Sequence, residues 1–243
     1  WAWRSIYGND ICFPDLMHAQ TVLVWSNNLY HSNVGMARPY QSLKARGAKI
    51  IAVDPRETVT TQAADIHLKL LPGTDGALAL SMAQVIIEEG LYDKEFVETY
   101  VYGFEEYQAY VNQFPPEKAE KITGVDKELI REAARMYASN GPAGIMFSAS
   151  PVVHNINGMQ NYRAVMCLIA LTGNYDIPGG NPSRPGSVSP CNEYGKVKRL
   201  DTIEAIGEKD FPAWFDLPCE EAQCTRIADY ILKEEPYPLK AVV

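Results

Sequence analysis

The sequence predicts an α/β fold in three layers, a mainly parallel sheet with helices on both faces. Three observations carry this. Short apolar runs, TVLVW at 21–25, KIIAV at 49–53 and AGIMFS at 143–148, do not alternate polar with apolar positions, so each strand expects burial on both sides. Helical patterns stand between the runs, the signature of strands joined by crossovers. The first two runs end in the polar turns Ser26-Asn27-Asn28 and Asp54-Pro55-Arg56, which stop a strand where the chain must reverse.

The elements follow in order. Thr21 to Trp25 is a buried strand, and residues 34–46 (VGMARPYQSLKAR) are a helix stopped by Gly47. The second strand, 49–53, closes at Asp54-Pro55, and the third, 66–71 (IHLKLL), closes at Pro72-Gly73. Asp75 opens GALALSMAQVIIEE, a run of strong helix formers ending at Gly90. Shorter helical patterns at 93–102, 105–114 and 116–122 precede a longer one at 126–139, with Asp126 as N-cap. A fourth strand at 143–148 leads to a helix at 157–171 that stops at Thr172-Gly173-Asn174. From Pro178 to residue 195 the chain is rich in Gly, Pro, Ser and Asn, a length of irregular chain that usually carries function or mobility. We expect one α/β domain over 1–185 and an irregular, partly helical extension over 186–243.

Composition bounds the function. The 243 residues are 47% hydrophobic and 21% charged, ample for a buried core. No apolar run approaches the roughly 18 residues of a membrane-spanning helix. Thirty acidic against 22 basic residues give a net charge of −8, which argues against a nucleic-acid backbone as partner. A nucleotide is compatible, because backbone amides and a few side chains can hold it. The five cysteines, Cys12, Cys167, Cys191, Cys219 and Cys224, have scattered spacings without C-x-x-C, and read as structural thiols rather than metal ligands. The chain begins WAWRSIYGND and ends LKAVV, the first half of a strand, so we expect an interior piece of a longer protein.

Ligands of parallel sheets bind beyond the carboxyl ends of the strands, where this chain places its polar clusters. An acid after the second strand, Asp54, is where a Rossmann-like fold accepts hydrogen bonds from ribose hydroxyls. Asp75 either caps its helix or takes the edge of a base, since a carboxylate accepts from two adjacent N–H groups. The Gly73 and Thr74 amides at a helix start suit an anion. Each turn also has a purely structural account, as a strand exit or an N-cap. Neither G-x-G-x-x-G nor a P-loop is present, which weakens a nicotinamide dehydrogenase. No G-x-S-x-G elbow supports a hydrolase. Among the four histidines, His67 reads as a strand residue, and His154 alone lies in a loop near a strand end.

Together, VLVWSNN, the block from RGAKIIAVDPRETV to LLPGTDGALALSMAQVIIEEGLYDKEFV, and NGMQNYRAVMCLIALTGNYDIPGGN resemble the molybdopterin oxidoreductases of the dimethyl sulfoxide reductase type over about residues 20–185. The resemblance implies molybdenum or tungsten held by pterins in molybdopterin guanine dinucleotide. By that resemblance Trp25, Ser26, Asn27 and Asn28 lie against the diphosphate, with Ser26 standing where the family usually has glycine. Asp54, Pro55 and Arg56 lie near ribose and guanine, and Gly73, Thr74 and Asp75 complete the guanosine pocket. His154 is a candidate to face the site from its loop position, and by the resemblance Asn157, Gln160, Gly173 and Asn174 line the funnel near the pterin. The metal ligand and catalytic groups are expected outside this chain, as is an iron–sulfur cluster. The implied partners are the rest of the parent chain and an iron–sulfur electron-transfer subunit. The alternative is a free-standing, non-catalytic nucleotide-binding domain.

Overall fold

A computed structural model describes residues 2–8, 12–148, 152–183, 204, 206–212 and 227–240. The chain divides into two compact units, Trp1–Pro185 and Gly186–Val243.

In the first unit a helix, α1 (Ala2–Tyr7), precedes strand β1 (Thr21–Trp25). A 3₁₀ turn at Val34–Met36 runs into α2 (Ala37–Ala45), followed by β2 (Lys49–Val53) and a short helix α3 (Val59–Gln62). Then come β3 (Ile66–Leu68), α4 (Asp75–Glu88), α5 (Lys94–Tyr100), α6 (Phe104–Val111), α7 (Pro116–Thr123) and α8 (Lys127–Ser139). Strand β4 (Ala143–Phe147) and helix α9 (Gly158–Leu171) follow. The strands form a parallel sheet in the order β3-β2-β1-β4.

The two faces of β1 explain the layers. Val22 and Val24 pack with Ile50 and Met146 against Tyr40 and Leu43 of α2. Leu23 and Trp25 pack with Ile51 and Val53 against α4, α8 and α9, through residues such as Leu78, Met82, Ala134 and Val165. Every residue of β1 is buried, as a strand without alternation requires. The expected α/β architecture is therefore the observed one.

Several expected boundaries shift for local reasons. Strand β3 stops at Leu68, because Leu70 N–H turns back to the Leu68 carbonyl and Leu71 N–H donates to Thr123. Helix α3 was not expected; Thr58 and Thr61 close it with reciprocal capping bonds. Asp126 caps α8 as expected, accepting from the Glu128 and Leu129 amides. Among the described residues, the outer edge of β4 is covered by side chains rather than by a fifth strand. Asn181 accepts from Ile145 N–H at 2.8 Å and donates to its carbonyl at 2.9 Å, while Asn174 Oδ1 accepts from Ala143 N–H at 2.9 Å.

In the second unit, a short helix α10 (Ile227–Lys233) leaves Ile231 and Leu232 exposed, and Tyr230 donates to Asp210. Most of the irregular stretch at 178–195, Cys191, Cys219, Cys224 and residues 241–243 of the expected terminal strand lie outside the described residues. Among the described residues, no helix is long and apolar enough to cross a membrane.

Candidate functional site

The chain passes from β1 outward through β2 to β3, then returns to place β4 on the other side of β1. The order reverses at the β1–β4 boundary, where an open parallel sheet leaves its ligand crevice. Trp25, Val53, Leu68 and Phe147 stand in register along the carboxyl edge. The turns that follow them therefore face the same space.

Ser26 leaves β1 with φ +52, the left-handed region that glycine adopts without penalty. Its N–H donates to the Val53 carbonyl at 2.7 Å, and Ser148 N–H donates to the Trp25 carbonyl at 3.0 Å. These bonds extend the ladder one step past the strands and pin the turn. Asn27 donates its side-chain amide to the Phe147 carbonyl at 3.2 Å, bridging the reversal point. Asn28 Oδ1 is buried without a hydrogen-bond partner. An unmet buried acceptor costs about 1–3 kcal/mol, so this atom fits a ligand that donates an N–H or O–H.

Asp54 is 4% exposed and accepts from the Arg56 amide at 2.8 Å, a local turn that fixes Pro55 between them. The Arg56 guanidinium stays largely in solvent, its Nε 3.5 Å from the Asp54 carboxylate. His67, read from sequence as a strand residue, bonds the Asp54 carbonyl at 2.8 Å and steadies the same turn.

Asp75 is the first residue of α4 and Thr74 its cap, without a side-chain capping bond. Asp75 is 3% exposed, and its Oδ1 accepts from the Trp25 indole Nε1 at 2.8 Å. Burial pushes its pKa up, and the Trp25 bond only partly opposes that. Oδ1 accepts from Trp25, and a carboxylate has acceptor sites beyond that one.

A further residue, absent from the sequence-based site, organises this turn. Asn161 of α9 is 1% exposed. Its Oδ1 accepts from Gly76 N–H at 3.2 Å and its Nδ2 donates to the Gly73 carbonyl at 3.3 Å. A Cβ on residue 76 would stand 2.6 Å from Asn161 Oδ1, so the approach requires glycine. The available signal was an asparagine set among apolar helix positions, where its competition with the backbone is otherwise a liability.

The third block divides. His154, Asn157 and Gln160 are exposed around the start of α9. Asn157 donates to Asn161 at 3.2 Å and Gln160 accepts from Arg163 at 3.1 Å. Gly173 and Asn174 are not brought to this edge. They follow the far end of α9, where Asn174 accepts from the first residue of β4 and Gly173 packs on Asp93. A shallow groove of about 270 Å³ along α2, lined by Tyr30, Tyr40, Gln41, Lys44, Ala45 and Ala63, includes none of these site residues.

Among the described residues no cluster of His, Cys, Asp and Glu could hold a metal. The edge itself presents hydrogen-bond acceptors, Asn28 Oδ1 and the Asp75 carboxylate, on two turns that are far apart in sequence. A family model described as molybdopterin oxidoreductase matches residues 4–223. The chain belongs to that family. Formate dehydrogenase H of Escherichia coli is 41% identical over 250 residues, covering 94% of this chain and 34% of that protein. The acetylene hydratase of Syntrophotalea acetylenica is 41% identical over 204 residues, covering 81% of this chain and 26% of that protein. The alpha subunit of an F420-dependent formate dehydrogenase from Methanocaldococcus jannaschii is 38% identical, covering 74% of this chain and 28% of the subunit. Among solved structures, acetylene hydratase from Pelobacter acetylenicus superposes with a TM-score of 0.68 at 38% identity, covering 71% of this chain and 24% of that one. The chain thus spans about a quarter to a third of the length of these relatives. Membership of the molybdopterin oxidoreductases implies a pterin cofactor carrying molybdenum or tungsten. The residues fit such a group at two points, the unmet Asn28 acceptor and the buried Asp75 carboxylate.

Proposed function

We propose that this chain is the α/β domain of a molybdenum or tungsten oxidoreductase that holds the guanosine diphosphate tail of a molybdopterin guanine dinucleotide. The observation that carries the reading is the bond from Trp25 Nε1 to Asp75 Oδ1. It sets a buried carboxylate beside the strand-order reversal, where the ligands of open parallel sheets sit.

Asp75 accepts from the two adjacent N–H groups on the edge of guanine, using Oδ2 and the free lone pair of Oδ1. Gly73 and Thr74 close the same pocket from the preceding turn. Asp54 accepts from the ribose, with Pro55 fixing the turn and the Arg56 guanidinium lying over ribose and base. The loop from Trp25 through Ser26, Asn27 and Asn28 lies along the diphosphate. There Asn28 offers a side-chain N–H to a phosphate oxygen and its unmet Oδ1 to a hydroxyl or amine of the ligand. His154, Asn157 and Gln160 face the pterin end. The pterin-held metal, when bound, supplies the two-electron chemistry of the parent enzyme, and this chain's part is binding and orientation. The metal ligand, an iron–sulfur cluster and contacts to an electron-transfer subunit belong to other parts of the parent.

Titration calorimetry with GDP, ADP and NAD tests the reading. GDP should bind most tightly, and Asp75→Asn should weaken GDP far more than ADP, because one acceptor becomes a donor. NAD binding with no response to GDP would overturn it.

A further inference from the structure

We propose that Asn161 is a positioning residue that sets base selectivity, by holding the turn from Gly73 to Gly76, and with it the Asp75 carboxylate, against the start of α9. The inference rests on the guanosine pocket proposed above and concerns a residue outside that pocket's contacts.

The geometry is specific. One side-chain amide spans the turn, donating to the carbonyl of Gly73 at 3.3 Å and accepting from the amide of Gly76 at 3.2 Å. Those two backbone groups flank Thr74 and Asp75. A side-chain amide offers both a donor and an acceptor for those two groups. The same amide reaches the turn before α9, with Asn157 Nδ2 at 3.2 Å and Asn155 Oδ1 at 3.4 Å. Trp25 holds the Asp75 side chain itself. The carboxylate is thus fixed through its backbone by Asn161 and through Oδ1 by Trp25. Discrimination between guanine and adenine requires two acceptors aligned with two donors, and a site built on such hydrogen bonds loses selectivity when the partners drift. A residue that merely stabilises the fold would affect both nucleotides alike.

The test measures GDP and ADP affinity for the parent-sequence protein and for Asn161→Asp and Asn161→Ala. The aspartate can still accept from Gly76 N–H but cannot donate to the Gly73 carbonyl. We expect the GDP-to-ADP affinity ratio to fall about tenfold or more in both variants, the size of effect produced by misaligning a buried hydrogen bond. Hydrogen exchange at the Gly76 amide should quicken most in the alanine variant. If that variant is too unstable to titrate, Asn161→Asp keeps the readout. Gly76→Ala is a further probe, since its Cβ would press on Asn161 Oδ1 from the other side. A folded variant that keeps the original ratio, or loses both nucleotides equally, overturns the role of Asn161 alone. A parent-sequence protein with no preference for GDP overturns the proposed function, and this inference with it.

Discussion

Ser26 occupies backbone space that an L-residue enters at a cost of about 1–2 kcal/mol. It does so at φ +52 at the end of the central strand, where its N–H is tied to Val53. Ser26→Gly relieves that strain but adds an unfolded-state entropy cost of about 0.5–1 kcal/mol. The expected net gain is about 0.5–1 kcal/mol, read as a higher midpoint in chemical denaturation. A lower midpoint would mean that the serine hydroxyl does more for the fold than the strain costs. Asp75 gives a pH-dependent expectation. Its folded pKa is raised by burial, so its contribution is fully present below the unfolded carboxylate pKa of about 4 and is lost as pH rises through the folded value. Asn at position 75 never ionises and can still accept from Trp25. The melting temperature of Asp75→Asn should therefore gain on the parent protein between pH 4 and pH 7. A difference that shrinks over that range would contradict the burial of a charged carboxylate. Greater stability together with weaker GDP binding would mark a residue kept for its ligand.

At the scale of elements, β4 shows how side chains, rather than a further strand among the described residues, can cover a strand edge. Exposed strand edges invite pairing with other chains, and here Asn181 presents its amide to both backbone groups of Ile145. Its Nδ2 also reaches the Cys12 carbonyl at 3.1 Å. Asn181→Ala leaves those buried groups unmet and should cost at least about 2 kcal/mol. Light scattering on heating should begin earlier, whereas unchanged melting and scattering would show that the edge needs no cover. The same elements show what sequence can reveal. Strands β1, β2 and β4 were legible because unbroken apolar runs report two-sided burial. The end of β3 was not, because it is set by the Leu71 bond to Thr123, a partner remote in sequence. Helix α3 has only four residues, too few for periodicity to register. Asn174 resembled a site residue by its family block, yet its amide serves the opposite end of the sheet.

For the molecule as a whole, sheet order turns scattered turns into one edge. Asp54 and Asp75 were legible as candidates because turn chemistry is local: an acid beside a proline, an acid at a helix start. The Trp25–Asp75 bond spans 50 positions, and Asn161 lies 85 from Gly76. No short window of sequence contains either pair, so the organisation of this turn emerges only once α4 and α9 pack side by side. The chain spans about a quarter to a third of its relatives' length. The seal on β4 also bears on how the molecule ages. Asparagine side chains deamidate when the backbone nitrogen of the next residue attacks them, and Asn181 is followed by Pro182, which has no N–H to lose in that reaction. Asn157, exposed and followed by Gly158, lacks that protection. Slow chemical wear should therefore reach the exposed start of α9 while Asn181 stays intact.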